Sequence, residues 1–220
     1  TTRVQALLHS LKKLKMKLKV CGMRTPENIE ALAALNPDYM GFIFWAPSSR
    51  FVNKITPLLP NKIKKTGVFV DATIDYIETI IKEHKLQAVQ LHGKEAPEFC
   101  AYIKTLDVEV IKAFSMKEAF DFKSLEPYEI ACDFYLFDTK GELPGGNGYG
   151  FDWSILKNYP SVKPFFLSGG IGKEEVSQIL ELRNTDLPLY AIDVNSKFES
   201  APGVKKIDEL EQFKNELYEL

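Results

Sequence analysis

The chain has 220 residues, of which 45% are hydrophobic and 26% charged, and its formal net charge is -2. These values are typical of a globular protein that buries a core, and the length suits a single α/β barrel. The charge balance argues against a nucleic-acid partner, and no apolar run approaches the roughly 18 residues that a membrane span needs.

Cysteine and histidine usage limits the chemistry further. The three cysteines are odd in number and widely spaced, which indicates a reducing compartment, so we expect a cytoplasmic protein. The three histidines include no pair at metal-ligand spacing, so we expect no metal site. These residues are Cys21, Cys100, Cys132, His9, His84 and His92.

The amino-terminal segment differs in composition from the rest of the chain. The first 19 residues contain six basic side chains and no acidic one. They lack the apolar core and the cleavage site of a signal peptide. Leucines at helical spacing predict a short amphipathic helix that packs on or near the amino-terminal end of the barrel, and a membrane-surface or nucleic-acid role for it is the alternative. We therefore treat residues 1–16 as a basic extension and residues 17–220 as the catalytic domain.

Eight apolar, β-branched or aromatic runs alternate with helical patterns along the chain. The predicted strands are Leu18–Cys21, Tyr39–Phe44, Lys65–Val70, Ala88–Leu91, Glu109–Ala113, Phe134–Asp138, Pro164–Ser168 and Leu189–Asp193. The predicted helices are Pro26–Leu35, Thr73–His84, Ala96–Thr105, Trp153–Lys157, Lys173–Leu182 and Ile207–Tyr218, with weaker patterns over Thr56–Lys62 and Met116–Leu125.

Alternation of strands with helices predicts parallel pairing through right-handed crossovers. Strands that are apolar on both faces favour a closed (β/α)8 barrel, the TIM barrel architecture. An open doubly wound sheet is the alternative, and it would require a glycine-rich loop after the first strand. Here the first strand leads into Cys21-Gly22-Met23-Arg24, which is not that motif.

Barrel enzymes build their sites at the carboxyl ends of the strands, and two such ends carry reactive side chains. The first strand ends at Cys21 and the sixth at Asp138. A buried cysteine is more often a small hydrophobic residue than a base. A carboxylate that closes an apolar run either caps a turn or acts on a substrate, because burying it unpaired is costly. A base and an acid on one rim could act on one substrate.

Two later strand ends have the composition of phosphate-binding loops. Ser168-Gly169-Gly170 follows the seventh strand and precedes a helix, whose amino-terminal end would favour an anion. Asn195 and Ser196 follow the eighth strand and could supply more hydrogen-bond donors. Barrels commonly bind phosphate after their seventh and eighth strands, so we expect a phosphate site here rather than a simple turn.

Three further features lie near the expected rim. Arg50 follows the second strand and could pair with a second anion, although a surface salt bridge is the plainer interpretation. His92 follows the fourth strand as a structural group or a ligand contact. The glycine-rich loop Thr139–Gly150 is a candidate lid or clamp, or a flexible surface loop.

With these residues in view, the sequence resembles the phosphoribosylanthranilate isomerase family of tryptophan biosynthesis. The resemblance runs in order over nearly all of residues 17–220. Its pieces are KVCGMRTPENI, DYMGFIFWAPSSRFV, TGVFV, VQLHGKE, IKAF, LFDTK followed by GGNGYGFDW, FFLSGGI and AIDVNSKFESAPGVK.

The resemblance implies a cofactor-free Amadori rearrangement of N-(5-phosphoribosyl)anthranilate on a (β/α)8 barrel. It implies Cys21 as general base and Asp138 as general acid. It also implies substrate-binding positions, at Arg50, His92 and Asp193, and phosphate-binding positions, at Gly169, Gly170, Asn195 and Ser196. The implied partner is a small phosphorylated substrate, with no nucleic acid or membrane, in a monomer or a homodimer.

One position departs from the family pattern, since Lys197 stands where the family usually has glycine. Its side chain could crowd the loop, or its ammonium could assist the phosphate. Two other classes of function remain open. One is another phosphate-binding barrel enzyme, such as indole-3-glycerol phosphate synthase or a sugar-phosphate epimerase. The synthase would need a catalytic lysine with a glutamate, and Lys112 has no evident glutamate partner in the sequence. The other is a barrel that binds a phosphorylated ligand without converting it.

Overall fold

The computed structural model describes residues 15–117, 119–139 and 152–218. Its main feature is a closed barrel of eight parallel strands that pair in chain order, with the last strand also pairing with the first. The strands are β1 Lys17–Val20, β2 Tyr39–Ile43, β3 Lys64–Phe69, β4 Ala88–Leu91, β5 Glu109–Met116, β6 Phe134–Thr139, β7 Phe165–Leu167 and β8 Leu189–Val194. The predicted barrel is therefore confirmed, and the open sheet is excluded.

The register of β1 against β8 sets the geometry where the barrel closes. Lys19 lies opposite Asp193, and Val20 lies opposite Val194. The backbone N–H of Cys21 continues this ladder by donating to the carbonyl of Val194 at 2.9 Å. The first residues after the two strands therefore meet at the same rim of the barrel.

Helices lie between most strands. The α-helices are α1 Pro26–Ala34, α2 Ile74–His84, α3 Pro97–Lys104, α4 Val176–Arg183 and α5 Ile207–Tyr218. The sequence marks their starts well: Pro26 and Pro97 stand at the first turns of α1 and α3, and the Thr73 hydroxyl accepts from the Tyr76 N–H before α2.

Several predicted bounds differ from the structure. The helix expected over Trp153–Lys157 is a 3-10 helix, Trp153–Asn158, and the one expected from Lys173 begins as a 3-10 turn before α4. β5 continues to Met116, because its last two residues pair with the end of β6. Residues 53–59, in the weakly helical segment before β3, form no helix. The proline-rich sequence there disfavours one.

The core has two parts, as expected of a barrel wrapped by helices. The larger lies between the strands and the surrounding helices. The smaller consists of alternate strand residues that face inward: Tyr39, Ala88, Ile111, Ala113, Leu136, Phe166 and Ala191. These side chains fill the interior of the barrel as a packed core.

A short hairpin follows the barrel and returns to that rim. It pairs β9 Glu199–Ala201 with β10 Val204–Lys205, and a 3-10 turn, Ser196–Phe198, precedes it. In the part of the chain that the structure describes, no helix is long and apolar enough to cross a membrane. Two predictions lie largely outside the described residues: the amphipathic helix in residues 1–16 and the loop Thr139–Gly150, of which Thr139 belongs to β6.

Candidate active site

One pocket at the carboxyl-end rim collects every residue that the sequence analysis singled out as a site candidate. It is lined by Cys21, Arg50, His92, Asp138, Gly169, Gly170, Asp193, Asn195 and Ser196, among others. These residues come from six different strand ends. The structure thus brings these side chains together in one pocket, and their roles are taken up below as proposals.

Cys21 sits directly after β1 and against the backbone of β2. A Cβ atom built on Gly41 would lie 2.8 Å from the Cys21 sulfur and 3.1 Å from its Cα. Only glycine at this position leaves room for the thiol. The neighbouring Gly22 has φ of +77, and a Cβ there would lie 2.7 Å from side-chain atoms of both Arg50 and Asn195. Two glycines thus allow three polar side chains to converge.

Lys19 and Asp193 form a buried ion pair beneath this thiol. The Lys19 ammonium lies 2.7 Å from Oδ2 of Asp193, and both side chains are almost completely buried. The other carboxylate oxygen, Oδ1, is buried without a hydrogen-bond partner among the described residues. Since Asp193 lines the pocket, this free oxygen can accept a hydrogen bond from a ligand hydroxyl.

The ionisation of this group is set by burial and by the neighbouring charges. Burial raises the pKa of the Cys21 thiol, which Lys19 opposes, while Asp193 raises it and Lys205 lowers it. Burial alone would lower the pKa of Lys19, but Asp193 and Cys21 more than offset this and raise it. Lys19 therefore keeps its proton, and its charge favours a thiolate at Cys21.

Asp138 is the penultimate residue of β6, and its carboxylate is held from two sides. One oxygen accepts the backbone N–H of Thr139 at 2.9 Å, and the other lies 3.2 Å from Nε2 of His92. The His92 contact lies off the line of a hydrogen bond, so we describe it as a close electrostatic contact. The opposite ring nitrogen of His92 lies 3.0 Å from Nε2 of Gln90. This amide holds the imidazole in place beside Asp138.

Consecutive glycines shape the loop after β7. Gly169 and Gly170 have φ of +93 and +69, which favours glycine at both positions. A Cβ on Gly169 would lie 2.2 Å from the Thr139 hydroxyl, so the loop packs closely on the end of β6. The helix end contributes less than expected, because a 3-10 turn comes first and the Gly172 N–H donates to the Glu175 carboxylate at 2.6 Å.

A hydrogen-bonded network holds the other side of the pocket. Glu199 accepts from Nε and Nη2 of Arg50, with the shortest contact at 2.6 Å, and also from the Lys205 ammonium at 2.6 Å. Lys205 donates as well to Oδ1 of Asn195 at 2.6 Å. The Arg50 guanidinium is thus positioned by Glu199, with Nη1 outside these contacts.

Comparison with known proteins assigns this arrangement to a family. The family model described as N-(5'phosphoribosyl)anthranilate (PRA) isomerase matches residues 18–216. The chain belongs to this family. An N-(5'-phosphoribosyl)anthranilate isomerase from Parabacteroides distasonis is 44% identical over 205 residues, which cover 90% of this chain and 91% of that protein.

Solved structures of the same family share the barrel. Phosphoribosyl anthranilate isomerase from Thermus thermophilus superposes with a TM-score of 0.80 at 28% identity, covering 93% of this chain and 99% of that one. A second phosphoribosyl anthranilate isomerase superposes with a TM-score of 0.76 at 28% identity, covering 93% and 100%. That protein was solved in complex with reduced 1-(o-carboxyphenylamino)-1-deoxyribulose 5-phosphate.

Lys197, the departure from the family pattern, lies at the pocket mouth. Lys197 is exposed. A Cβ atom built on Gly172 would lie 3.5 Å from the Cβ atom of Lys197, which is an ordinary van der Waals contact. Lys197 lines the same pocket as Gly169, Gly170 and Ser196.

Lys112 does have a glutamate partner, contrary to the sequence analysis. Its ammonium lies 3.0 Å from Glu95 and donates to the carbonyls of Leu91 and Gly93. Both charged side chains are buried, and neither lines the pocket. The pair fixes the ends of β4 and β5 and gives no support to the synthase alternative.

Four residues that hold the site together were not predicted from the sequence: Lys19, Gln90, Glu199 and Lys205. A signal for two of them was present. Lys19 precedes Cys21 by two residues and Gln90 precedes His92 by two, so each pair shares the inward face of a strand. A polar side chain on that face of a barrel needs a partner. Glu199 and Lys205 carry no comparable signal, because the hairpin that returns them to the rim has no strong pattern.

Proposed function

We propose that the chain converts N-(5-phosphoribosyl)anthranilate to 1-(2-carboxyphenylamino)-1-deoxyribulose 5-phosphate with Cys21 as general base and Asp138 as general acid. Membership of the family makes the chain an isomerase of tryptophan biosynthesis. One observation carries the assignment of roles. A thiol and a carboxyl group, from strands three places apart around the barrel, line one pocket with the glycine loop.

The reaction requires a proton donor and then a base. Protonated Asp138 gives its proton to the ring oxygen of the aminofuranose, the bond between that oxygen and C1 breaks, and an iminium forms. The iminium acidifies the neighbouring carbon, C2. The Cys21 thiolate takes the C2 proton and becomes a thiol, and the resulting enolamine tautomerises to the ketone. C2 is oxidised as C1 is reduced within the same molecule, so no external redox partner is required, and we propose that no cofactor takes part.

The remaining pocket residues suit the parts of the substrate. Arg50 offers Nη1 to the anthranilate carboxylate while Glu199 holds its other nitrogens. Oδ1 of Asp193 accepts from a ribose hydroxyl, and His92 positions the sugar and Asp138. The phosphate binds to backbone and side-chain groups of Gly169, Gly170, Asn195 and Ser196. The two glycines let backbone N–H groups approach an anion, and Asn195 and Ser196 offer polar side chains at the edge of the pocket.

We further propose a cytoplasmic enzyme whose partner is this small phosphorylated substrate, with no nucleic acid or membrane involved and a monomeric or homodimeric state. The three cysteines support the compartment, since all are free and buried. The acidic balance of the chain supports the absence of nucleic acid.

The test is a fluorescence assay with freshly generated phosphoribosylanthranilate. Wild-type protein should consume the fluorescent substrate rapidly. Cys21→Ala and Asp138→Asn should each lose at least about 10²-fold in turnover, the scale of general acid–base catalysis. Circular dichroism establishes that both variants fold. Near-normal turnover in either variant would overturn its role, and no turnover by wild type would favour a barrel that binds its ligand without converting it.

A further inference from the structure

A buried thiol is a poor base unless its surroundings stabilise the thiolate. Cys21 is 5% exposed, and burial raises the pKa of its thiol. The nucleophilic and basic form of cysteine is the thiolate, which burial disfavours. Catalysis by Cys21 therefore requires a positive charge close to its sulfur.

Four charged groups face Cys21 from the elements around it: Lys19 on β1, Asp193 on β8, Lys205 on β10 and Arg50 after β2. Each cation has an anionic partner, since Arg50 and Lys205 share the Glu199 carboxylate and Lys19 is paired with Asp193. Among the cations, Lys19 lowers the pKa of the Cys21 thiol most. It lies on β1 two residues before Cys21, and residues two apart in an extended chain project to one side.

The position of Lys19 is strongly determined. Its side chain is completely buried, and its ammonium is held 2.7 Å from Asp193 across the closure of the barrel. Burying an ammonium is costly, and an ion pair with one carboxylate oxygen offsets this only in part. Oδ1 of Asp193 makes no hydrogen bond among the described residues, so the pair is not a fully satisfied structural clamp.

We propose that Lys19 is the counter-ion of the Cys21 thiolate, a positioning residue that Asp193 holds beneath the sulfur so that Cys21 can act as base. The proposal rests on the proposed role of Cys21. In the base step the thiolate gains the C2 proton and loses its charge, and the neutral thiol afterwards releases a proton to water. Lys19 keeps its own proton throughout, so its charge is present each time the thiolate re-forms.

The direct test measures the ionisation of Cys21 without turnover. Alkylation by iodoacetamide is followed from pH 6 to 10, with the modification of Cys21 quantified by peptide mass spectrometry. Iodoacetamide is neutral, so a change of charge at Lys19 does not alter its attraction to the site. Lys19→Met should lower the alkylation rate of Cys21 near pH 8 at least about tenfold, since one neighbouring charge shifts a pKa by about one unit or more. Lys19→Arg should stay near wild type.

Lys112→Met is the matched control. It also removes a buried lysine and takes the ion-pair partner from a buried carboxylate, Glu95, which keeps its backbone N–H donors, but it lies outside the pocket. It should lower stability as Lys19→Met does and leave the alkylation profile of Cys21 unchanged. If Lys19→Met does not fold, Lys19→Gln replaces it, because its amide can still donate to Asp193.

The pH profile of kcat/KM is the second readout. The part of the profile that reports ionisation of the base should move to higher pH in Lys19→Met and should not move in Lys112→Met. If Cys21 of the wild type resists alkylation, this shift of the kcat/KM profile is the deciding measurement. A Lys19→Met protein with the alkylation and rate profiles of the control would overturn the proposal. Failure of the proposed function looks different: Cys21→Ser would then retain turnover, whatever Lys19 does.

Discussion

The sulfur of Cys21 lies so close to the backbone of Gly41 that a methyl group there would approach it to 2.8 Å. The position of the Cys21 sulfur therefore depends on the absence of a side chain at Gly41 as well as on β1. Gly41→Ala should displace the thiol, and displacements of about 1 Å from productive geometry cost up to about 10²-fold in rate. We expect kcat to fall about 10- to 100-fold in steady-state assays, with a smaller change in KM.

Gly67→Ala provides the control for this substitution. Its Cβ would meet the side chains of Leu86 and Phe69 at 2.5 and 2.7 Å, and neither of these lines the pocket. It should lower the free energy of unfolding by about 1–3 kcal/mol through overpacking, with kcat unchanged. An equal loss of kcat in both variants would show that Gly41 acts only through stability.

Arg50→Lys should weaken substrate binding. The guanidinium can bind Glu199 with two nitrogens and still offer Nη1 to a carboxylate, whereas one ammonium cannot do both with the same geometry. We expect KM to rise about tenfold with little change in kcat, consistent with loss of one charge-assisted hydrogen bond. Arg24→Lys is the control, since Arg24 is exposed and contacts the Ser49 carbonyl instead. An unchanged KM in Arg50→Lys would exclude Arg50 from the binding site.

Anion binding should weaken in alkaline solution because of Lys205. Burial lowers the pKa of its ammonium to about 8, in spite of Glu199. Below this pH the ammonium is charged and holds Asn195, and above it the group is neutral and its hold is weaker. Above pH 8 inorganic phosphate is mostly the dianion, so its own charge changes little between pH 8 and 10. We expect the inhibition constant of inorganic phosphate to rise above about pH 8.

Lys205→Met should abolish this pH dependence. Between pH 8 and 10 phosphate should inhibit the variant weakly at every pH, while the wild type approaches that weak inhibition only at the alkaline end. A variant with the same rise above pH 8 as the wild type would assign the titration to another group.

Lys197→Ala should raise KM modestly. The side chain is exposed at the pocket mouth, where an interaction between charges contributes about 0.2–1 kcal/mol. We therefore expect a KM about two- to fivefold higher, a weaker dependence of KM on salt, and an unchanged melting temperature. A lower KM in the variant would instead indicate that Lys197 hinders substrate entry.

Much of the site could be predicted from strand ends. Cys21 and Asp138 are far apart in sequence, yet both follow apolar runs of a parallel barrel, and such runs end at one rim. The exact ends of the strands and helices were harder to predict from the sequence. The extra residues of β5 and the 3-10 helix at Trp153 depend on pairing with β6 and on packing, which no local pattern encodes.

The sequence alone determined the barrel and the residues at its rim, because hydrophobic period and chain order decide which strands pair and which ends coincide. Only the tertiary structure decided which charges neutralise one another. Lys19 meets Asp193 across 174 residues, and Arg50 meets Glu199 across 149. Such pairings depend on the register at which the barrel closes and on the course of a hairpin. The ionisation of Cys21 follows from them, since charges act over a few ångströms of space and not along the chain.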